Sequence, residues 1–366
     1  MIKGIAKYSG LIICALFTYL YLSSFMLQDI YAATTPYATL IIFILMAVVF
    51  LGCFDPVQRL KARDKELIAA LAAALVGAVN LFLIGSNKGA ALIAADNALL
   101  LYLAGKVPLS DRCRHFICAV GISLMIPWYA VVRWYYNFNM AGLIFITLMV
   151  MGELLMEYAK NYFELYYLKY VQGLLFAVTL LFTICYHARS AALCVLAFGV
   201  VWLVLPGLAG KKLYYVLPAT VTAGSLVFTL IYTALGQRGM EIRILYKDLL
   251  SGRQDIWREL WGAFLERPLT GIGSSYKLKS FFIFEVHNGL LDILVVHGII
   301  VFAFLVFLLV KRLLELKAVG YAFYPEKRIA AAGIYCYLFA SFFENCFIVP
   351  PYCFIVFVLF EIVLVS

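Results

Sequence analysis

Apolar runs close to the length of a membrane crossing recur along this chain from one end to the other, and no other feature narrows its folding choices as far. A helix needs about 20 such residues to cross the hydrocarbon of a bilayer. Inside that layer only helices and closed barrels satisfy their own backbone. Barrel strands are segments of about ten residues that alternate apolar and polar. The runs here are continuous and rich in Leu and Ala, so they predict helices. Composition agrees: 65% of residues are hydrophobic and 13% are charged, against about 25% charged in soluble domains. The expectation is an all-α polytopic bundle forming one integral membrane domain over residues 1–366. About twelve spans are predicted, near 8–27, 36–54, 67–85, 88–105, 115–134, 141–159, 168–186, 190–206, 213–234, 288–310, 329–348 and 350–366. No small-residue cleavage site follows the apolar run of the start, MIKGIAKYSG, so the first segment is expected to remain as a helix.

Lys and Arg set the expected orientation, because they favour cytoplasmic loops. With the N-terminus inside, the inner segments hold Lys3, Lys7, Arg59, Lys61, Lys106, Arg112, Lys160, Lys211, Lys311, Arg312, Lys327 and others, whereas the short outer loops hold only Lys88, Arg133 and Arg189. Both termini are therefore expected in the cytoplasm. The net charge of +9 is a topology signal and gives no reason to expect a nucleic-acid partner. The nine cysteines are scattered without metal-ligand spacing, as small packing residues are.

Residues 235–287 form the single long connection, on the outer side in this topology. Loops of this length are often functional. Within it, SGRQDIWRELWGAFLERP predicts an amphipathic helix over about 252–266. Ser251 and Gln254 have capping-box spacing, and Pro268 ends the helix. Trp257, Leu260, Trp261 and Phe264 fall on one face, which suits a helix lying in the membrane interface. Arg253 shares that apolar face. A guanidinium there either snorkels, pairs with an acid such as Glu285 or Asp292, or binds an anion. The following RPLTGIGSS places Pro268, Gly271 and Gly273 in a turn, and such a turn is either structural or a cradle for a ligand.

The next span opens with His287 and Asn288 at the outer rim. A histidine titrates near neutral pH and suits proton transfer, though a lone one at a rim is commonly an ordinary interfacial residue. His297 lies roughly 15 Å deeper, at 1.5 Å per residue, and reads as a packing residue. Arg189, in HARSAAL beside His187, reaches the same outer boundary. Two arginines and a histidine at one depth point to a diphosphate and a hydroxyl, because guanidinium forks match phosphate oxygens. Glu344, near the outer end of the eleventh span, is placed to orient His287 or an arginine. Elsewhere, Asn80 with Asp96 and Asn97 predicts polar pairing between helices. Glu153 and Glu157, one turn apart near the inner face, are spaced to coordinate a ligand or, as the neighbouring Lys160 and Lys169 favour, to form salt bridges.

The stretch GRQDIWRELWGAFLERPLTGIGSS followed by HNGLLDILVVHG resembles the signature of the O-antigen ligase and O-antigen polymerase superfamily. The matching positions are Arg253, Trp257, Pro268, Gly271, Gly273, His287, Asn288 and Gly298. Arg189 matches an arginine turn less closely, since Ala188 and Ser190 flank it. The resemblance implies a GT-C-like fold in the bacterial cytoplasmic membrane, with its active site on the periplasmic side. It implies an inverting glycosyltransferase, independent of metal and cofactor, that takes a glycan from undecaprenyl diphosphate. A ligase passes the glycan to lipid A-core, and a polymerase passes it to another lipid-linked glycan. Carried over, His287 is the general base and Arg189 and Arg253 hold the diphosphate. Glu344, Asn288, Trp257, Gly271 and Gly273 are the expected supporting residues. Asp29, the one acid of the first outer loop, is thin support for a metal. A flippase or other transporter is the competing class. Internal repeats or broken helices in matched positions would mark it, and no repeat is visible in the sequence.

Overall fold

The computed structural model describes residues 6–25, 28–84, 88–123, 138–238, 243–244, 247–248, 252–279, 286–346 and 348–365. Over these the chain is almost wholly helical. In order, the helices are α1 (Ser9–Phe25), α2 (Gln28–Cys53), α3 (Pro56–Lys61), α4 (Lys65–Ile84), α5 (Lys88–Leu103), α6 (Asp111–Ser123), α7 (Phe138–Phe163), α8 (Leu168–Cys185), α9 (Arg189–Leu208), α10 (Val216–Val221), α11 (Ala223–Gln237), α12 (Arg253–Glu266), α13 (Gly289–Glu315), α14 (Pro325–Ala340) and α15 (Pro350–Leu364). Among the described residues a single strand pair, Arg243–Ile244 with Lys247–Asp248, lies in the long loop.

Helix covers most of the described part of each predicted span, although α14 ends at Ala340 within the eleventh, and residues 124–134 of the fifth lie outside the described residues. Among the described residues, five helices are long and apolar enough to cross a membrane. The stretches Lys212–Val221 and Ala223–Gln237, bent by 49° at Thr222, make a sixth if taken as one span. Four further apolar helices are shorter. The central helix, α14, is buried along most of its length. Its Ala330–Gly333 stretch lets α7 approach closely: a methyl group on Gly333 would stand 2.9 Å from Val150 Cγ1. The Cys336 thiol donates to the carbonyl of Cys194 at 3.2 Å and ties α14 to α9.

One end of the bundle is closed by ions. Glu66, at the start of α4, accepts from Lys106 at 2.8 Å and from Lys311 and Arg312 at the end of α13. These residues belong to one side in the predicted topology, and the fold gathers them at one end. Glu157 pairs with Lys160 at 2.6 Å, as expected, and Lys169 instead lies over the ring of Tyr170. All nine cysteines are free thiols.

Helix α13 is broken near its middle. Gly298 has φ 81° and ψ 170°, outside any helical region. In an unbroken helix the Ile299 N–H would donate to the Val295 carbonyl. Here both turn to the loop: Ile299 N–H donates to Pro268 O at 2.8 Å, and Val295 O accepts from Ile272 N–H at 2.8 Å. Gly273 N–H fills Val296 O at 3.1 Å. Asn80 of α4 donates to His297 O at 2.9 Å and to Thr270 O at 3.0 Å. The expected pairing of Asn80 with Asp96 and Asn97 is thus replaced by a clasp on the loop and the break. Gly271 sits so close that a Cβ there would collide with the Val296 carbonyl.

Candidate active site

The amphipathic helix forms as α12, with two differences from expectation. Its N-cap is Gly252 at φ 85°, with no side-chain cap, and Ser251 of the expected capping box lies outside the described residues. Its apolar face is also covered by protein. Trp257 and Leu260 are fully buried, and the Trp257 ring packs against Tyr232 and Phe228 at 5.0 and 5.8 Å. The Trp261 indole N–H donates to Thr229 Oγ1 at 3.1 Å. The face periodicity was legible; what it packs on was not, because Phe228, Thr229 and Tyr232 belong to another helix.

That packing holds the backbone at His287. The Trp257 Nε1–H donates to Val286 O at 2.7 Å, one residue before the histidine. One residue after it, Asn288 caps α13, its Oδ1 accepting from Leu291 N–H at 2.9 Å. The Asn288 amide donates to Ser225 Oγ at 3.0 Å and to Phe342 O at 3.3 Å. Gly289 N–H donates to Ser341 O at 2.9 Å. Between these grips His287 takes φ 53°, a left-handed conformation uncommon for a residue with a Cβ.

Phe342 and Ser341 belong to the turn after α14, and the same turn carries Glu344. Glu344 Oε1 accepts from Arg253 Nη2 at 2.8 Å, and its Oε2 stands 3.4 Å from His287 Nδ1. The three side chains are mostly enclosed, with Glu344 at 13% exposure. The partner of Arg253 is therefore Glu344 rather than Asp292, while Glu285 lies outside the described residues. Residues 91 and 57 positions apart in sequence meet on one carboxylate.

Arg189 opens α9, half-buried. The backbone carbonyl of Cys194, five residues further in, accepts a hydrogen bond from the Cys336 thiol of α14, and the chain continues from Cys336 to Glu344. Arg189 thus lies at the same end of the bundle. Gly271 and Gly273, both at positive φ, dock the loop onto the break in α13. Sequence reasoning missed Ser225 and gave Asn80 a different partner. Each is a polar residue in an apolar span, and that was the available signal. Among the described residues no three His, Cys, Asp or Glu side chains are grouped to hold a metal ion.

Long apolar helices around a polar cluster at one end define a polytopic helical membrane protein. Residues 174–306 match the family model described as O-antigen ligase, and over that stretch the chain is similar to the O-antigen ligase family. The match takes in Arg189, Arg253, Trp257, Gly271, Gly273, His287, Asn288 and Gly298, and leaves out Asn80 and Glu344. No curated protein and no solved structure matches the chain.

Proposed function

We propose that the protein transfers a glycan from undecaprenyl diphosphate to a sugar hydroxyl of lipid A-core, at the periplasmic face of the bacterial cytoplasmic membrane. The observation that carries this reading is the meeting of Arg253 and His287 on Glu344. In this reading the helical segments make twelve crossings in a GT-C-like arrangement with both termini cytoplasmic.

His287 is the general base. With Nδ1 directed at Glu344, Nε2 is the nitrogen assigned to the acceptor. The acceptor oxygen attacks the anomeric carbon from the face opposite the diphosphate, so the centre inverts. Its proton passes to His287 Nε2. The bond from the anomeric carbon to the phosphate oxygen breaks, and its electron pair leaves with the diphosphate. The imidazolium then returns its proton to water. Arg253 and Arg189 hold the diphosphate and stabilise the charge that grows on it. One preorganised donor at such a point contributes about 3–4 kcal/mol, and a positioned base about 10²–10⁴-fold. Neither step calls on a metal or cofactor.

His287→Ala in proteoliposomes, with a lipid-diphosphate donor and lipid A-core, is expected to lower transfer by at least about 100-fold, and an unchanged rate would overturn the assignment. The polymerase reading uses the same residues. Deleting the gene separates the two: unattached polymer left on the carrier identifies a ligase, and single repeat units identify a polymerase.

A further inference from the structure

Glu344 serves two partners at unequal distances. Its contact with Arg253, at 2.8 Å, is a normal charge-assisted hydrogen bond. Its contact with His287, at 3.4 Å, is longer than a well-formed bond. The carboxylate is therefore committed to the guanidinium and only loosely engages the imidazole. The guanidinium and carboxylate are also largely enclosed, at 15% and 13% exposure. Enclosed charges that lose a partner are poorly compensated by water.

Taken together, Arg253 and Glu344 have no net charge. A diphosphate approaching Arg253 meets a cation already neutralised by a competing anion. Two anionic acceptors around one guanidinium repel each other, and the diphosphate offers the fork more oxygens than a single carboxylate oxygen does. We infer that Glu344 is a positioning residue handed from Arg253 to His287 when the lipid diphosphate binds. The inference rests on the reading of Arg253 as diphosphate ligand and His287 as base. Before the hand-over the carboxylate holds the arginine in place. After it, the carboxylate closes on Nδ1–H, fixes the ring tautomer and stabilises the imidazolium that forms. The base is then armed only when a leaving group is in position. The turn that carries Glu344 is bonded to Asn288 and Gly289, so the exchange needs a change of side-chain torsion and no backbone displacement.

The hand-over has a signature that an ordinary structural residue would not give. Removing the charge of Glu344 should free Arg253 for the donor while disabling the base. In proteoliposomes, E344Q is expected to bind unglycosylated undecaprenyl diphosphate several-fold more tightly than wild type, with kcat lower by about tenfold or more. E344D, which keeps the charge, should recover part of kcat. Equal or weaker probe binding by E344Q would overturn the hand-over. R253K separates this from the parent reading. Unchanged probe binding in R253K would defeat Arg253 as a diphosphate ligand, whereas weaker binding in R253K without tightening in E344Q would defeat the hand-over alone. A measurement on the wild-type chain guards against misfolded variants. The protein has four histidines, so ring-¹⁵N labelling gives few signals, and H287Q assigns the relevant one. Adding undecaprenyl diphosphate is expected to move its Nδ1 resonance downfield, as a strengthened N–H···O bond does. An unmoved resonance would overturn the proposal.

Discussion

The side-chain amide of Asn80 donates to the carbonyl of His297 at 2.9 Å, across 217 residues of sequence. With its second bond, to Thr270 O, this amide holds α4, the loop and the broken helix together. Asn80→Ala leaves two enclosed carbonyls without this donor and is expected to cost about 1–3 kcal/mol. Asn80→Asp keeps the shape but points an acceptor at two acceptors, and should cost more than alanine. Thermal unfolding in detergent checks the order; an aspartate as stable as wild type would remove the clasp from consideration.

Two glycines nearby should respond in opposite directions. Gly271 has φ 76° and no room for a Cβ against the Val296 carbonyl. Gly271→Ala is expected to destabilise by at least about 1–3 kcal/mol. Gly262, inside α12, has nothing within 4 Å of where a Cβ would sit. Gly262→Ala should stabilise the helix by about 0.5–1 kcal/mol. The two melting temperatures, read side by side, test the described loop geometry.

Trp257→Phe retains an aromatic ring but leaves Val286 O without its indole donor. A loss of about 1–3 kcal/mol is expected. Trp257→Ala, which also empties a fully buried site, should lose about 3–5 kcal/mol. Because Val286 adjoins His287, transfer activity should fall in both variants in the same order as stability. A phenylalanine variant with unchanged stability would show that the indole bond contributes nothing.

Asp64, between α3 and α4, predicts an acid-sensitive contribution. Burial pushes its carboxyl up, but hydrogen bonds from Leu67 N–H, Arg59 and Tyr102, with the charge of Lys106, hold it below the usual carboxylate range. A carboxyl whose value is lowered by folding stabilises the protein above its ordinary value, near 3.9. That contribution disappears as pH falls through the lowered folded value. Asp64→Ala should lose about 1 kcal/mol near neutral pH, since Asp64 also bonds the N–H groups of Glu66 and Leu67 in the first turn of α4. The difference from wild type should shrink as pH falls from about 6 to about 3; a constant difference would contradict it.

Local pattern showed where the site residues lie in sequence and left their partners unread. The face of α12, the position of Arg253 on it, and His287 with Asn288 at a span entrance follow from spacing and polarity. The partner of Arg253 did not, because Glu285, Asp292 and Glu344 are equally acidic in one dimension. Gly298 was visible as a motif glycine, yet its role depends on Pro268, Ile272 and Gly273 arriving from the loop. The start of α12 lies one residue later than expected because serine is the better cap by composition, whereas the chain turns on Gly252, where positive φ is free of steric cost.

The break at Gly298 also separates two mechanical tasks within a single helix. Its cytoplasm-proximal portion in the proposed topology is tethered by Arg312 to Glu66, and its opposite portion is indexed by Asn80 and the loop. A twist or a lengthening introduced on the tethered side is expected to be taken up at the joint, where the helical hydrogen-bond ladder is already interrupted. The azimuth of the His287 ring is thereby set by the portion that Asn80 and the loop hold, and not by the portion that Arg312 tethers.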